Sequence, residues 1–132
     1  MIFVDTSAVV AVLAREPEEP ALTQALERDP ETITAAHVVL ESCMRLSSLF
    51  KLPPRAVDRR VTALLRVTST AVVPITEEIG HLAVEAFERY GKGRGTAGLN
   101  FGDCLSYACA KAHGARLLFK GGDFAATDIA RA

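Results

Sequence analysis

The chain has 132 residues, 49% of them apolar and 23% charged, a balance that suits one globular domain and excludes a disordered chain. Its net charge of −1, from 15 cations against 16 acids, gives no overall basic field, so any nucleic-acid contact must come from local charge. The three cysteines, Cys43, Cys104 and Cys109, include no CxxC pair, which speaks against a disulfide framework or a cysteine zinc site and suits a reduced, cytoplasmic setting.

The opening MIFVDTSAVVAVLA is apolar, but it lacks a basic lead and Asp5 interrupts it, so it reads as mature protein from Met1. No apolar run reaches the roughly eighteen residues of a membrane helix. Residues 2–5, IFVD, have no polar alternation, as in a strand buried on both faces. Ser7 is the expected N-cap of a helix to about Arg15, closed by Glu16 and Pro17. A second helix is expected from about Pro20 to Arg28, then a strand in ETITAA, 31–36. From His37 to Phe50 the apolar residues keep helical spacing.

Pro53 and Pro54 break the chain and start another helix, carrying Val57, Val61, Leu64 and Leu65. AVVPI, 71–75, is a third strand, and Thr76 with Glu78 opens a helix to Tyr90. GKGRGTAGLNF is the one long irregular stretch. Gly102 and Asp103 start the next helix, which ends at Gly114; RLLF, 116–119, is the fourth strand, and GGDF follows it. Strands alternating with helices predict a single α/β domain over residues 1–132 with a mainly parallel sheet covered on both faces. Ligands of such sheets bind beyond the carboxyl ends of the strands.

Four acids fall at that edge. Asp5 ends the first strand, Asp103 opens an apolar helix, and Asp123 follows the fourth strand after two glycines. Each has an ordinary alternative: helix capping for Asp5 and Asp103, turn chemistry for Asp123. Glu41 borders an apolar helix face beside Val38, Leu40 and Met44, with Arg45 one turn on as a local partner. Together the four converge on one cleft. Carboxylates about 4 Å apart repel by about 4 kcal/mol at an effective dielectric near 20, so the cluster calls for cations or raised pKa values. Oxygen-only ligands favour Mg²⁺ or Mn²⁺ over zinc, and such sites suit phosphoryl chemistry. Thr6 and Ser7 add hydroxyls at the same edge. Lys92 and Arg94 in the glycine-rich loop, and Lys120 after the fourth strand, are candidate contacts to a phosphate backbone, or else a solvated surface. His37, four residues before Glu41, is a secondary metal candidate; His81 and His113 read as surface and helix-end residues, and the cysteines as core.

FVDTSA, the helix acid in HVVLESCMRL, LNFGDCLSYACAKAHG and LLFKGGDFAATDI together resemble the PIN-domain ribonucleases, specifically the VapC toxins of bacterial toxin–antitoxin modules. That resemblance covers essentially the whole chain and implies a PIN-like three-layer α/β/α sandwich with a mainly parallel sheet of four to five strands. It implies Mg²⁺- or Mn²⁺-dependent RNA cleavage with Asp5, Glu41, Asp103 and Asp123 as the metal-binding acids and Ser7 in support. It also implies a homodimer and a small VapB-type antitoxin that inhibits by occupying the cleft. The rivals are a phosphoacceptor receiver domain, for which Lys120 is well placed but a second acid beside Asp5 is missing, and a PIN-like module that binds a partner without catalysis.

Overall fold

The computed structural model describes residues 1–132. Ten elements follow one another: β1 (Ile2–Val4), α1 (Thr6–Leu13), α2 (Glu19–Arg28), β2 (Thr32–Ala35), α3 (Ala36–Phe50), α4 (Pro54–Val67), β3 (Ala71–Val73), α5 (Glu77–Tyr90), α6 (Phe101–Ala112) and β4 (Arg116–Leu118). All four strands are parallel, in the order β3-β2-β1-β4. Phe3 of the central strand pairs with Ile33 on one side and Leu117 on the other, and all three are buried. Apolar side chains on both faces are what an interior parallel strand requires.

The order sets the layers. The chain steps from β1 through β2 to β3 in one direction, by α1–α2 and then α3–α4. It then returns past β1 to β4 by α5–α6. Right-handed crossovers put these two sets of helices on opposite faces. In keeping with this, α1 packs on α2 and α3, α3 on α4, and α5 on α6, which lies against β1, β2 and β4. The connection leaving β1, through α1–α2, and the one arriving at its neighbour β4, through α5–α6, lie on opposite faces. The carboxyl ends of β1 and β4 are therefore the topological switch point where a ligand crevice opens.

Several local expectations needed correction. Ser7 lies in the first turn of α1; the N-cap is Asp5, whose side chain accepts from the Ser7 N–H, and the helix stops at Leu13. α6 starts at Phe101 rather than Gly102, with Asn100 as its N-cap in a reciprocal capping box with Asp103 at N3, and it ends at Ala112 rather than Gly114. β3 stops at Val73 because Pro74 has no N–H for the ladder. The sheet has four strands, with a single parallel bridge from Leu117 to Arg131 as the trace of a fifth. No helix is long and apolar enough to cross a membrane.

Candidate active site

The switch point delivers the acids. Asp5 follows β1, and its N–H bonds the Leu118 carbonyl at 3.0 Å, so it stands beside the end of β4. Its side chain is 3% exposed. Oδ2 accepts from the Ser7 N–H at 3.0 Å and from the Ser7 hydroxyl at 2.6 Å, while Oδ1 is buried with no partner. Capping, the ordinary alternative, thus accounts for one oxygen of Asp5 and leaves the other unexplained. An orphaned buried carboxylate oxygen is costly unless something polar or charged meets it. The Thr6 hydroxyl is also buried without a partner.

Ser7 bridges two strands. Its hydroxyl donates to Asp5 and accepts the Lys120 N–H at 3.0 Å, joining the ends of β1 and β4.

Asp103, 8% exposed, comes from the other helical layer. Its Oδ2 accepts the Asn100 N–H at 3.0 Å, and the Asn100 side chain accepts the Asp103 N–H at 2.9 Å. Burial pushes its carboxyl up to about 6 against the pull of the Asn100 bond, and the charges of Asp5, Asp123 and Glu41 push the same way. All four acids therefore act on one region.

Glu41 is turned towards α6. Its carboxylate lies so close over Gly102 that a Cβ there would be 2.6 Å from Oε2. The local bridge to Arg45 does not form among the ion pairs present. Glu41 and Arg45 instead line one cavity with His37, Asn100 and Gly102. Asp123 is exposed beside the buried Phe124, which packs on Phe119 with ring centroids 5.1 Å apart. Gly121, at φ +95°, makes the turn that carries it.

His37 is engaged elsewhere. Its Nε2 meets the Ser106 hydroxyl at 2.9 Å, its ring stacks on Phe3, and burial lowers its pKa despite the charge of Asp5. His81 pairs with Glu77 on the surface, and His113 Nδ1 meets the Cys109 carbonyl. All three cysteines are free and buried. The Lys120 ammonium is held by Glu16 and by Glu18, the latter at 3.3 Å, so it is occupied in a clamp between β4 and the α1–α2 loop. Lys92 and Arg94 are exposed on a loop whose base is closed by Lys92 N–H to the Leu99 carbonyl and Leu99 N–H to the Tyr90 carbonyl; the Arg94 guanidinium rests over Phe87.

No three acidic, histidine or cysteine side chains gather tightly enough to hold an ion by themselves. The donor set nevertheless fits Mg²⁺ or Mn²⁺. A hard cation of this kind is bound by one or two carboxylates and keeps several waters, so an open arrangement with one orphaned buried oxygen suits it.

Fold and site together define a PIN domain, and the family model described as "PIN domain" matches residues 2–130. The ribonuclease VapC of Mycolicibacterium smegmatis is 42% identical over 127 residues, covering 96% of each chain. Among solved structures, the Mycobacterium tuberculosis toxin VapC20, described as cleaving the sarcin–ricin loop, matches with a TM-score of 0.78 at 22% identity, covering 100% of this chain and 98% of its own. VapBC2 from Rickettsia felis, bound to a DNA fragment of its promoter, matches with a TM-score of 0.72 at 14% identity, covering 99% and 96%. The chain belongs to the VapC ribonucleases of the PIN-domain family. The receiver alternative fails on topology, because such domains use the order 2-1-3-4-5.

Proposed function

We propose that this protein is the toxin of a type II toxin–antitoxin pair, a Mg²⁺- or Mn²⁺-dependent endoribonuclease that hydrolyses cellular RNA in the cytoplasm. Asp5, Glu41, Asp103 and Asp123 would hold the metal, with Ser7 and Thr6 in support. The observation that carries this reading is the orphaned buried Oδ1 of Asp5 in the pocket where burial, with the charges of Asp5, Asp123 and Glu41 adding to it, raises Asp103 to about 6. Held by these acids, a divalent ion would supply a more acidic water and charge neutralisation for the leaving 3′ oxygen.

The chain's own residues prepare that chemistry. Ser7 fixes Oδ2 of Asp5 from two donors, which sets the carboxylate plane and leaves Oδ1 free. The capping box fixes Asp103 in the same way from the opposite layer. Gly102 lets Glu41 cross from α3 to the start of α6. Asp5 and Asp103, both buried, repel one another and so favour a cation between them.

The likeness to VapBC2 of Rickettsia felis supports an antitoxin partner. A VapB-type antitoxin has an apolar groove available where Val12 and Leu13 of α1 face Leu64 and the exposed Val67 of α4. A homodimer has exposed apolar surface available at Leu40, Met44, Val84 and Phe101. The test is to sequence RNA ends after a brief pulse of expression, beside the Asp5→Asn protein. New 5′ ends at discrete sites with the parent alone support the reading. Identical end profiles would reduce the protein to a binding module.

A further inference from the structure

The acidic cleft repels the RNA it is proposed to cut, so binding must be supplied by cations placed elsewhere. The glycine-rich loop contributes two. A denser source lies in residues 45–66, where six of the chain's 15 cations, Arg45, Lys51, Arg55, Arg59, Arg60 and Arg66, stand against one acid, Asp58. All six are exposed and none is ion-paired, whereas Arg89, Lys111, Arg116 and Lys120 all are. In a chain of net charge −1, this segment alone carries +5.

Helical periodicity organises them. Arg55, Arg59 and Arg66 are separated by four and seven residues, which puts them on one stripe of α4. At about 1.5 Å per residue the stripe runs roughly 16 Å. The buried side of the same helix is Val57, Val61 and Leu65, so the stripe faces away from the core. Arg60 lies off it, over the Phe50 ring.

The stripe connects to the site. Arg45 lines the same cavity as Glu41, Asn100 and Gly102. Leu40 lines that cavity and also the adjoining one that holds Arg55 and Asp58 at the start of α4. Leu40 thus joins the cavity that holds Glu41 and Arg45 to the one that holds Arg55, from which the stripe runs along α4. Guanidinium groups are suited to phosphate oxygens by their planar, forked donors. We propose that Arg45 and the α4 stripe of Arg55, Arg59 and Arg66 form a docking track for the phosphate backbone of the substrate RNA, extending beyond the nucleotides held in the cleft. This rests on the ribonuclease reading above.

The track predicts that long RNA depends on α4 and short RNA does not. Binding of a labelled RNA hairpin is measured against salt in the Asp5→Asn background, where no cleavage occurs, with and without Arg55→Gln/Arg59→Gln/Arg66→Gln. Glutamine keeps helix propensity close to that of arginine. The triple variant is expected to bind at least about tenfold more weakly, with the salt slope reduced by about two to three. Lysine at the three positions is expected to restore the slope, and Arg15→Gln/Arg28→Gln, removing exposed cations elsewhere, to leave it unchanged. In the chain that retains Asp5, the triple variant should cleave a tetranucleotide as the parent does. Equal affinity and slope for parent and triple variant would overturn the track while leaving the ribonuclease reading intact. The same result with binding of polyglutamate lost would assign the stripe to an acidic protein instead. Absence of RNA binding by the parent would overturn both.

Discussion

The Glu41 carboxylate occupies the space that a side chain on Gly102 would need, with Oε2 and Oε1 at 2.6 and 2.9 Å from the position of such a Cβ. Gly102 lies in the first turn of α6, and Glu41 reaches it from α3. Gly102→Ala should therefore leave α6 folded and push the Glu41 carboxylate aside, because a flexible side chain yields before a capped helix does. Cleavage is expected to fall by at least about tenfold, roughly 1.4 kcal/mol of transition-state stabilisation. In a Glu41→Ala background the same substitution should cost nothing further, as a double-mutant cycle would show. Additive losses would mean that Gly102 acts by another route.

Asp103 makes stability depend on pH in an unusual direction. Its folded-state pKa of about 6 stands above the ordinary 3.8, so the fold binds this proton more tightly than the unfolded chain does. Its stabilising contribution is full below about pH 4 and is lost as pH rises through about 6. Metal-free protein should lose part of its Tm between those values. Asp103→Asn, which keeps an oxygen to accept the Asn100 N–H, should remove that pH dependence and raise the metal-free Tm at pH 7.5 by a few degrees. Mn²⁺ should raise the Tm of the parent at pH 7.5 and not that of the variant.

Ser7 holds both strand ends, so Ser7→Ala removes one bond to Asp5 and leaves the Lys120 N–H without its acceptor. The expected cost is about 1–2 kcal/mol of stability. Mn²⁺ affinity should also fall, by about 10-fold as for other supports of metal ligands, and Ser7→Thr should recover most of it. Calorimetric titration with Mn²⁺ checks this directly.

Lys120 and the glycine-rich loop should separate cleanly. The Lys120 ammonium is already satisfied by Glu16 and Glu18, so Lys120→Gln should leave the salt slope of RNA binding unchanged while speeding proteolysis of the α1–α2 loop. Lys92→Gln with Arg94→Gln should lower the slope by about one to two.

Much of this was legible in the sequence because it is local. The unalternating IFV run, the prolines at 53 and 54 and the spacing of Val57, Val61 and Leu65 place β1 and α4 without tertiary information. The position of all four acids at one sheet edge followed from strand and helix order. What the sequence hid was set by partners far along the chain. Ser7 looks like a cap until Lys120, 113 residues on, gives its hydroxyl a second bond. Lys120 looks like a free cation until the fold brings up Glu16, 104 residues away. Glu41 looks paired with Arg45 because the two are one turn apart, yet Gly102 supplies a closer seat from another helix. Asn100 sits in a glycine-rich stretch that hides its role, though its spacing to Asp103 is that of a capping box. The arginine stripe of α4 was legible as a charge count over 45–66, but a near-neutral total masks it.

The central claim is that Asp5 and its neighbouring acids bind the metal that cuts RNA. It is tested most directly by incubating a purified preparation of the parent and of Asp5→Asn with labelled RNA, in Mn²⁺ and in excess EDTA. Removing one member of the acid set should reduce cleavage by at least about 10³-fold, near the loss seen when a single charge-stabilising group is deleted from an active site. The account predicts discrete cleavage by the parent in Mn²⁺, none in EDTA, and none by a folded Asp5→Asn protein in either. Cleavage at the same sites by folded Asp5→Asn, or by the parent in EDTA, would contradict it.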